Sequence, residues 1–328
     1  KIEFNMSGIL TGIQSTGTPH LGNILGAILP AIEMTNKKEN DSFLFIANLH
    51  TLTQIKDGAL LKENTYSTAA AWLALGLDTE NTVFYRQSDI PEVTELTWYL
   101  NCYFPYQRLT LAHSFKDKAD RLEDVNAGLF TYPMLMAADI LLYDAEIVPV
   151  GKDQLQHLEF TRDVAKRFNH QMGEILVVPE EKINSETQLI KGTDGEKMSK
   201  SRDNFINIFL SKNELKKVIN KKIITDDTPL EEPKDAESST VYQLYKLIAT
   251  EEETKQMKNQ LKAGGYGWGH AKKDLLNGIL NRFEEARERY DYYMNNKQEL
   301  DNILAVGAKK AKAVATKTLD RVRVKCGY

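Results

Sequence analysis

The first ~180 residues repeat one alternation: a short, unbroken apolar run followed by a segment of helical length. The runs lie at 9–13, 43–48, 82–85, 147–150 and 175–178, and the helix-length segments at 21–37, 59–75, 92–103, 133–143 and 153–168. A strand that is apolar on successive residues must be covered on both faces, which is the condition of a parallel sheet. Strand–helix alternation then predicts a doubly wound, Rossmann-like α/β domain. Such sheets take ligands beyond the carboxyl ends of their strands. The loops after Ile13, Asn48 and Val150 are therefore the first places to seek a site.

After Ser201 the β-branched runs stop and helical periodicity takes over, at 212–221, 240–248, 251–261, 271–295 and 298–325. The acidic stretch 225–238, with Pro229 and Pro233, reads as a linker or long loop, and the glycines of 264–269 break two helices apart. The expected organisation is a Rossmann-like α/β domain over 1–203 and an all-helical region over 204–328.

A hydrophobic fraction of 42% and a charged fraction of 27% are ordinary for a globular chain with a sizeable core. No apolar run approaches the ~20 residues that span a bilayer. Lys1 to Asn5 show no basic stretch leading into an apolar one, so no secretion signal is expected. Net charge is −4, so RNA contact would need local basic patches. The last helix offers one: Lys309, Lys310, Lys312, Lys317, Arg321, Arg323 and Lys325. Cys102 and Cys326 have no metal-site spacing and suit free thiols in a reducing, cytoplasmic setting, with no zinc expected.

Two separated motifs carry the chemistry. Thr16-Gly17-Thr18-Pro19-His20-Leu21-Gly22-Asn23 follows the first strand. It puts His20 at a helix start, where backbone N–H groups favour phosphate, and Gly22 where a flat ring can approach. The alternative is an ordinary strand-to-helix turn with a capping histidine. Lys197-Met198-Ser199-Lys200-Ser201 follows Gly192-Thr193-Asp194-Gly195. Two lysines in a flexible loop can close over a polyphosphate and stabilise the charge on leaving pyrophosphate. A solvated basic turn is the alternative for an isolated K-x-x-K.

Between them, residues 132–143 form an apolar helix in which Asp139 is the only charge and Pro133 takes a first-turn position. Helical spacing puts Tyr132, Met136, Asp139 and Tyr143 on one face. Asp139 is either a structural ion pair or a residue at a wet edge, or else an acceptor within an apolar pocket, where an ionised carboxylate can only accept and an indole N–H only donate. Residues 144–157 read as a strand, a glycine turn and a helix opened by Asp153. Asp153 can accept from ribose hydroxyls or act as an N-cap, and Gln154 can reach an amino acid. His157 reads as structural.

His20-Leu21-Gly22-Asn23 and Lys197–Ser201 resemble the H-I-G-H and K-M-S-K-S elements of class I aminoacyl-tRNA synthetases. Gly12-Ile13-Gln14, the A-A-D-I-L-L-Y helix, V-P-V-G-x-D-Q-x-Q-H and the run 159–169 resemble the bacterial tryptophanyl-tRNA synthetases, over nearly all of residues 8–205. The resemblance implies an ATP-dependent tryptophan–tRNA ligase, with ATP·Mg²⁺, L-tryptophan and tRNA(Trp) as substrates. It also implies a cytoplasmic homodimer and a helical region that recognises the anticodon, with the last helix packed back on the catalytic domain.

By the same resemblance Asp139 accepts from the indole N–H, and Gln14, Met136, Val148, Val150 and Gln154 line the amino-acid pocket, with His50 and Tyr132 beside it. ATP falls to Gln14, Ser15, Thr16, Gly22, Asn23, Gly151, Lys152 and Asp153, and to Lys197, Met198, Ser199, Lys200 and Ser201. Lys116 and Lys118 stand where the family places basic residues near pyrophosphate. The catalytic set is His20, Asn23, Lys197, Lys200 and Gln14.

Two positions depart from the pattern: Arg202-Asp203-Asn204 replaces a common D-P-N, and His20 stands where several relatives carry threonine. Two cysteines cannot supply the four ligands of the iron–sulfur cluster that some relatives hold.

Three rivals remain to be weighed. A tyrosyl enzyme would place tyrosine where this chain has Leu10. A small-molecule adenylyltransferase would not account for the K-M-S-K-S loop and the long helical region after it. A non-catalytic RNA-binding regulator would have no use for Lys197, Lys200, Asp139 and Gln14 together.

Overall fold

The computed structural model describes residues 10–36, 42–112, 125–145, 147–150, 155–183 and 190–328. β1 (Leu10–Ile13) leads into α1 (Leu21–Asn23), which continues through a π-turn (Ile24–Ile28) into α2 (Leu29–Thr35). There follow β2 (Ser42–Ile46), α3 (Asn48–Thr51), α4 (Gly58–Ala74), β3 (Thr82–Arg86), α5 (Glu92–Tyr103), α6 (Tyr106–Leu109) and α7 (Ala127–Leu141). β4 (Ile147–Val150), α8 (Leu155–Met172) and β5 (Glu180–Ile183) complete the α/β part.

β1, β2 and β3 pair in parallel in that order, and β4 pairs in parallel with β5. β4 also packs beside β1, so the spatial order is β3-β2-β1-β4-β5. The chain leaves β1 first to one side and later to the other. The crevice between the ends of β1 and β4 is thus a topological switch point, where doubly wound sheets bind ligands.

All residues of β2 are buried. Leu44 and Ile46 join a core made with α4, and Phe43 and Phe45 join a core on the opposite face made with α5, α7 and α8. This two-sided burial is what the unbroken apolar run requires.

The helical part comprises α9 (Lys212–Lys222), α10 (Thr240–Lys246), α11 (Glu251–Ala263), α12 (Trp268–Arg282), α13 (Glu284–Asn295) and α14 (Lys297–Cys326). α13 packs on α4, and α14 lies along β3 and α5. α14 buries a face of small and aliphatic residues, Gly307, Ala308, Ala311, Ala315, Leu319 and Val322. Its closest approach is at Gly307, where an added Cβ would stand 1.8 Å from the Phe84 carbonyl oxygen. Lys312, Arg321 and Arg323 pair with Glu92, Asp144 and Glu95, so part of the basic character of α14 serves to clamp it to the α/β part.

Four sequence expectations are corrected. Residues 175–178 form no strand; the edge strand is β5. The Asn169 side chain accepts from the Ile175 and Leu176 N–H groups and donates to the Leu176 carbonyl, so those groups are withdrawn from any ladder.

Pro133 is inside α7, not in its first turn. The helix begins earlier because the Asn126 side chain caps it, accepting from Leu129 N–H at 3.0 Å.

Tyr143 lies past the end of α7 and packs its ring on Phe43 at 5.0 Å and Tyr85 at 6.0 Å. The expected helix 271–295 is two helices, α12 and α13, parted at buried Phe283. Phe283 leaves helical geometry while the apolar spacing runs on, so periodicity alone cannot locate the break.

Candidate active site

The first cluster is built on the turn after β1. Ser15 is buried and its Oγ lies 3.1 Å from Thr51 Oγ1, while Gln14 and Thr16 are exposed. Gly17 takes φ +104°, a turn conformation that favours glycine.

His20 then caps α1. Its Nδ1 accepts the Asn23 N–H at 3.1 Å, and the Asn23 side-chain oxygen accepts the His20 N–H at 3.3 Å. The capping reading of His20 is therefore right in geometry, and it fixes Asn23 as well. Burial, reinforced by the nearby Lys200 charge, pulls the imidazole down to about 4, so it is neutral at pH 7 and its Nδ1 is free to accept.

The second motif folds over this turn. An antiparallel bridge between Lys191 and Lys197 opens it, and Met198 donates its N–H to the Ile190 carbonyl. Met198 is buried, and its Sδ accepts the Gly22 N–H at 3.2 Å. Lys200 Nζ donates to the Thr16 carbonyl at 3.1 Å, and burial lowers its ammonium to about 8. Lys197 and Ser201 are exposed, and Ser199 Oγ lies 3.3 Å from Ser201 Oγ.

Asn204 holds the loop from beneath. Its amide donates to Asp194 and to the Lys197 carbonyl, and its oxygen accepts the Ser199 N–H at 2.7 Å. Asp203 precedes it with φ +51°, and Lys222 donates to both its carbonyl and its carboxylate. The departure from D-P-N thus leaves the asparagine in a bracing role.

The second cluster surrounds Asp139, buried on α7. His50 Nε2 lies 3.0 Å from Asp139 Oδ2, and Gln87 Nε2 donates to the same oxygen at 2.7 Å. Burial raises the carboxyl, and the contacts from His50 and Gln87 oppose that rise. The Tyr132 hydroxyl lies 2.6 Å from His157 Nε2, and the Tyr132 ring meets His50 edge-on at 5.8 Å. Met136 is half-buried one turn from Asp139, and Val148 is buried on β4.

The short helix α3 joins the clusters: Thr51 touches Ser15, and His50 touches Asp139. One cluster thus offers caps and a lysine suited to phosphate. The other offers a buried acceptor held from one side by His50 and Gln87.

Gly151, Lys152, Asp153, Gln154, Lys116 and Lys118 lie outside the described residues, and Val150 closes β4. Sequence reading missed Gln87 and Asn204. Gln87 immediately follows β3, one of the strand ends that a doubly wound fold makes suspect. Asn204 stood in view only as part of a departure from the motif.

The family model described as tRNA synthetases class I (W and Y) matches residues 5–284. A tryptophan–tRNA ligase of Campylobacter jejuni is 45% identical over 320 residues, covering 97% of this chain and 99% of that one. One from Fusobacterium nucleatum is 43% identical over 319 residues, covering 97% of each. The crystal structure of the Campylobacter jejuni tryptophanyl-tRNA synthetase complexed with ADP and tryptophan superposes with a TM-score of 0.94 at 44% identity, covering 98% of this chain and 100% of that one. This chain belongs to the class I tRNA synthetases, within the tryptophanyl-tRNA synthetase family.

Proposed function

We propose that the chain activates L-tryptophan with ATP and transfers it to tRNA(Trp). The observation that carries this reading is Asp139: a buried carboxylate held by His50 and Gln87 on an otherwise uncharged helix, joined through α3 to a neutral histidine cap and a lysine loop. The tryptophan carboxylate oxygen attacks the α-phosphorus of ATP. The bond from that phosphorus to the bridging oxygen breaks, and pyrophosphate leaves with Mg²⁺. A ribose hydroxyl at the 3′ end of tRNA then attacks the carbonyl carbon, AMP departs, and the hydroxyl proton passes to solvent.

Because the substrate brings its own nucleophile, the protein's work is positioning and charge stabilisation. Asp139 orients the indole, with His50, Tyr132, Met136, Val148, Val150 and Gln154 shaping the pocket. Gln14, Ser15, Thr16, His20, Gly22, Asn23 and Gly151, Lys152 and Asp153 hold the nucleotide. Lys197 to Ser201, with Lys116 and Lys118, face the polyphosphate, and Lys200 exchanges the Thr16 carbonyl for a phosphate oxygen.

In a cytoplasmic homodimer, the region 204–328 of each subunit serves the anticodon end of the tRNA and 1–203 is the catalytic part. The exposed Lys309, Lys310, Lys317 and Lys325 are the basic residues of α14 left for RNA phosphates. Tryptophan-dependent ATP–pyrophosphate exchange, followed by aminoacylation of tRNA(Trp), tests the reading. Exchange that is absent, or equal with tyrosine, refutes it.

A further inference from the structure

The amide of Gln87 has only one workable orientation. Its Oε1 accepts backbone N–H groups from Leu49 at 3.1 Å and His50 at 3.4 Å. Both are obligate donors, so turning the amide over would set NH₂ against N–H in a site where Gln87 is 1% exposed. The NH₂ is thereby fixed on Asp139 Oδ2, the same oxygen that His50 Nε2 approaches. The other oxygen, Oδ1, takes no hydrogen bond among the described residues.

We infer that Gln87 is a specificity-determining positioning residue: by occupying Oδ2 from a locked orientation, it turns Oδ1 of Asp139 into the single acceptor for a ligand N–H. This rests on reading the Asp139 pocket as the amino-acid site. The carboxylate is held by two donors on one side, so it cannot swing to satisfy itself elsewhere. A ligand without an N–H leaves Oδ1 without a donor, and that deficit is the source of discrimination. Gln87 never touches the reacting atoms and acts through Asp139.

The position of Gln87 also explains its rigidity. It opens the turn after β3, directly behind Arg86, which is anchored to Asp89 at 2.9 Å and to Asp301 of α14 at 2.6 Å. The strand end that presents Gln87 is therefore braced from the helical part of the protein.

The test compares tryptophan with its benzothiophene isostere, in which sulfur replaces the indole N–H, as substrates in ATP–pyrophosphate exchange. The enzymes are wild type, Gln87→Leu and Gln87→Glu. Gln87→Glu keeps an acceptor for the Leu49 and His50 N–H groups, preserving α3, but sets an acceptor against Asp139 in place of the donor. The expected result is a tryptophan KM raised ~10-fold or more in both variants. The tryptophan-to-isostere ratio of kcat/KM should shrink toward one, with the KM for ATP unchanged.

A ratio equal to that of wild type in Gln87→Glu, in protein with wild-type Tm, overturns the inference. Failure of the underlying reading looks different: wild type itself would then show no preference for tryptophan over the isostere.

Discussion

Lys200 Nζ donates to the Thr16 carbonyl oxygen at 3.1 Å, joining motifs that stand 184 positions apart in the chain. The ammonium is already placed over the turn that follows β1, and burial has brought it down to about 8. It carries its charge below that pH and loses it above. If the charge serves the leaving pyrophosphate, kcat/KM for ATP should be near its plateau at pH 7 and below, fall to about half by pH 8 and continue to fall above. Lys200→Arg should move the fall to higher pH. Lys200→Ala and Lys197→Ala should each slow single-turnover activation ~10²-fold, with tryptophan binding in the absence of ATP little changed. A flat pH profile together with unaltered activation in both alanine variants would show that the loop is only a basic turn.

His20 supplies a stability signature. The folded value of about 4 lies below the ordinary 6.5, so between those two pH values the unfolded chain binds more protons. Stability from this group is therefore complete above pH 6.5 and is lost as pH falls through 4. The cause is burial of the imidazole, reinforced by the Lys200 charge, and protonated Nδ1 also can no longer accept the Asn23 N–H. The loss should amount to at most about 3 kcal/mol. His20→Asn keeps an acceptor that does not titrate, so urea unfolding of that variant should show a shallower decline between pH 6.5 and 4. Parallel declines would assign the acid sensitivity to other groups.

Gly307 tests the docking of α14. A methyl group there would meet the Phe84 carbonyl at 1.8 Å, with backbone on both sides and no flexible side chain to yield. Gly307→Ala should lower stability in urea by roughly 1–3 kcal/mol or more, despite alanine's better helix propensity. Because Phe84 belongs to β3, whose end presents Gln87, the tryptophan KM should rise as well. A stabilised variant would mean that the helix can slide away without consequence.

The parts of the molecule set by local pattern were legible in the sequence. Unbroken apolar runs placed β1, β2, β3 and β4 within a residue or two, because two-sided burial leaves a mark on every position. Glu92–Tyr103 was placed to the residue by its periodicity. Where side chains captured backbone groups, pattern misled: Asn169 turned an apolar run into a loop, and Asn126 started α7 upstream of its proline. The site divides the same way. His20, Asn23, Lys200 and Asp139 announce themselves by motif or by lone charge on an apolar helix. Gln87 does not, since its role exists only when β3, α3 and α7 meet. Asn204 likewise matters through contacts folded back on Asp194, Lys197 and Ser199.

Asp139 carries the sharpest expectation. It is 4% exposed, and a carboxylate so placed must be fully engaged or be costly. Donors from His50 and Gln87 engage one oxygen and favour the ionised form against the rise that burial imposes. On the proposed reading, the remaining oxygen is the acceptor for the indole N–H. Phenylalanine fills part of the amino-acid pocket but offers no N–H, so it leaves that acceptor unpaired, a deficit of about 1–3 kcal/mol or more for a charged group. Asp139→Ala removes the acceptor and should lower kcat/KM for tryptophan ~10²-fold or more, while phenylalanine loses little. Asp139→Asn should fall between, because its amide can turn an oxygen to the indole only by giving up a contact with Gln87 or His50. The ratio of kcat/KM for tryptophan over phenylalanine in ATP–pyrophosphate exchange decides the matter. If that ratio in Asp139→Ala equals the wild-type ratio, Asp139 holds α7 to α3 and β3 and takes no part in choosing the amino acid.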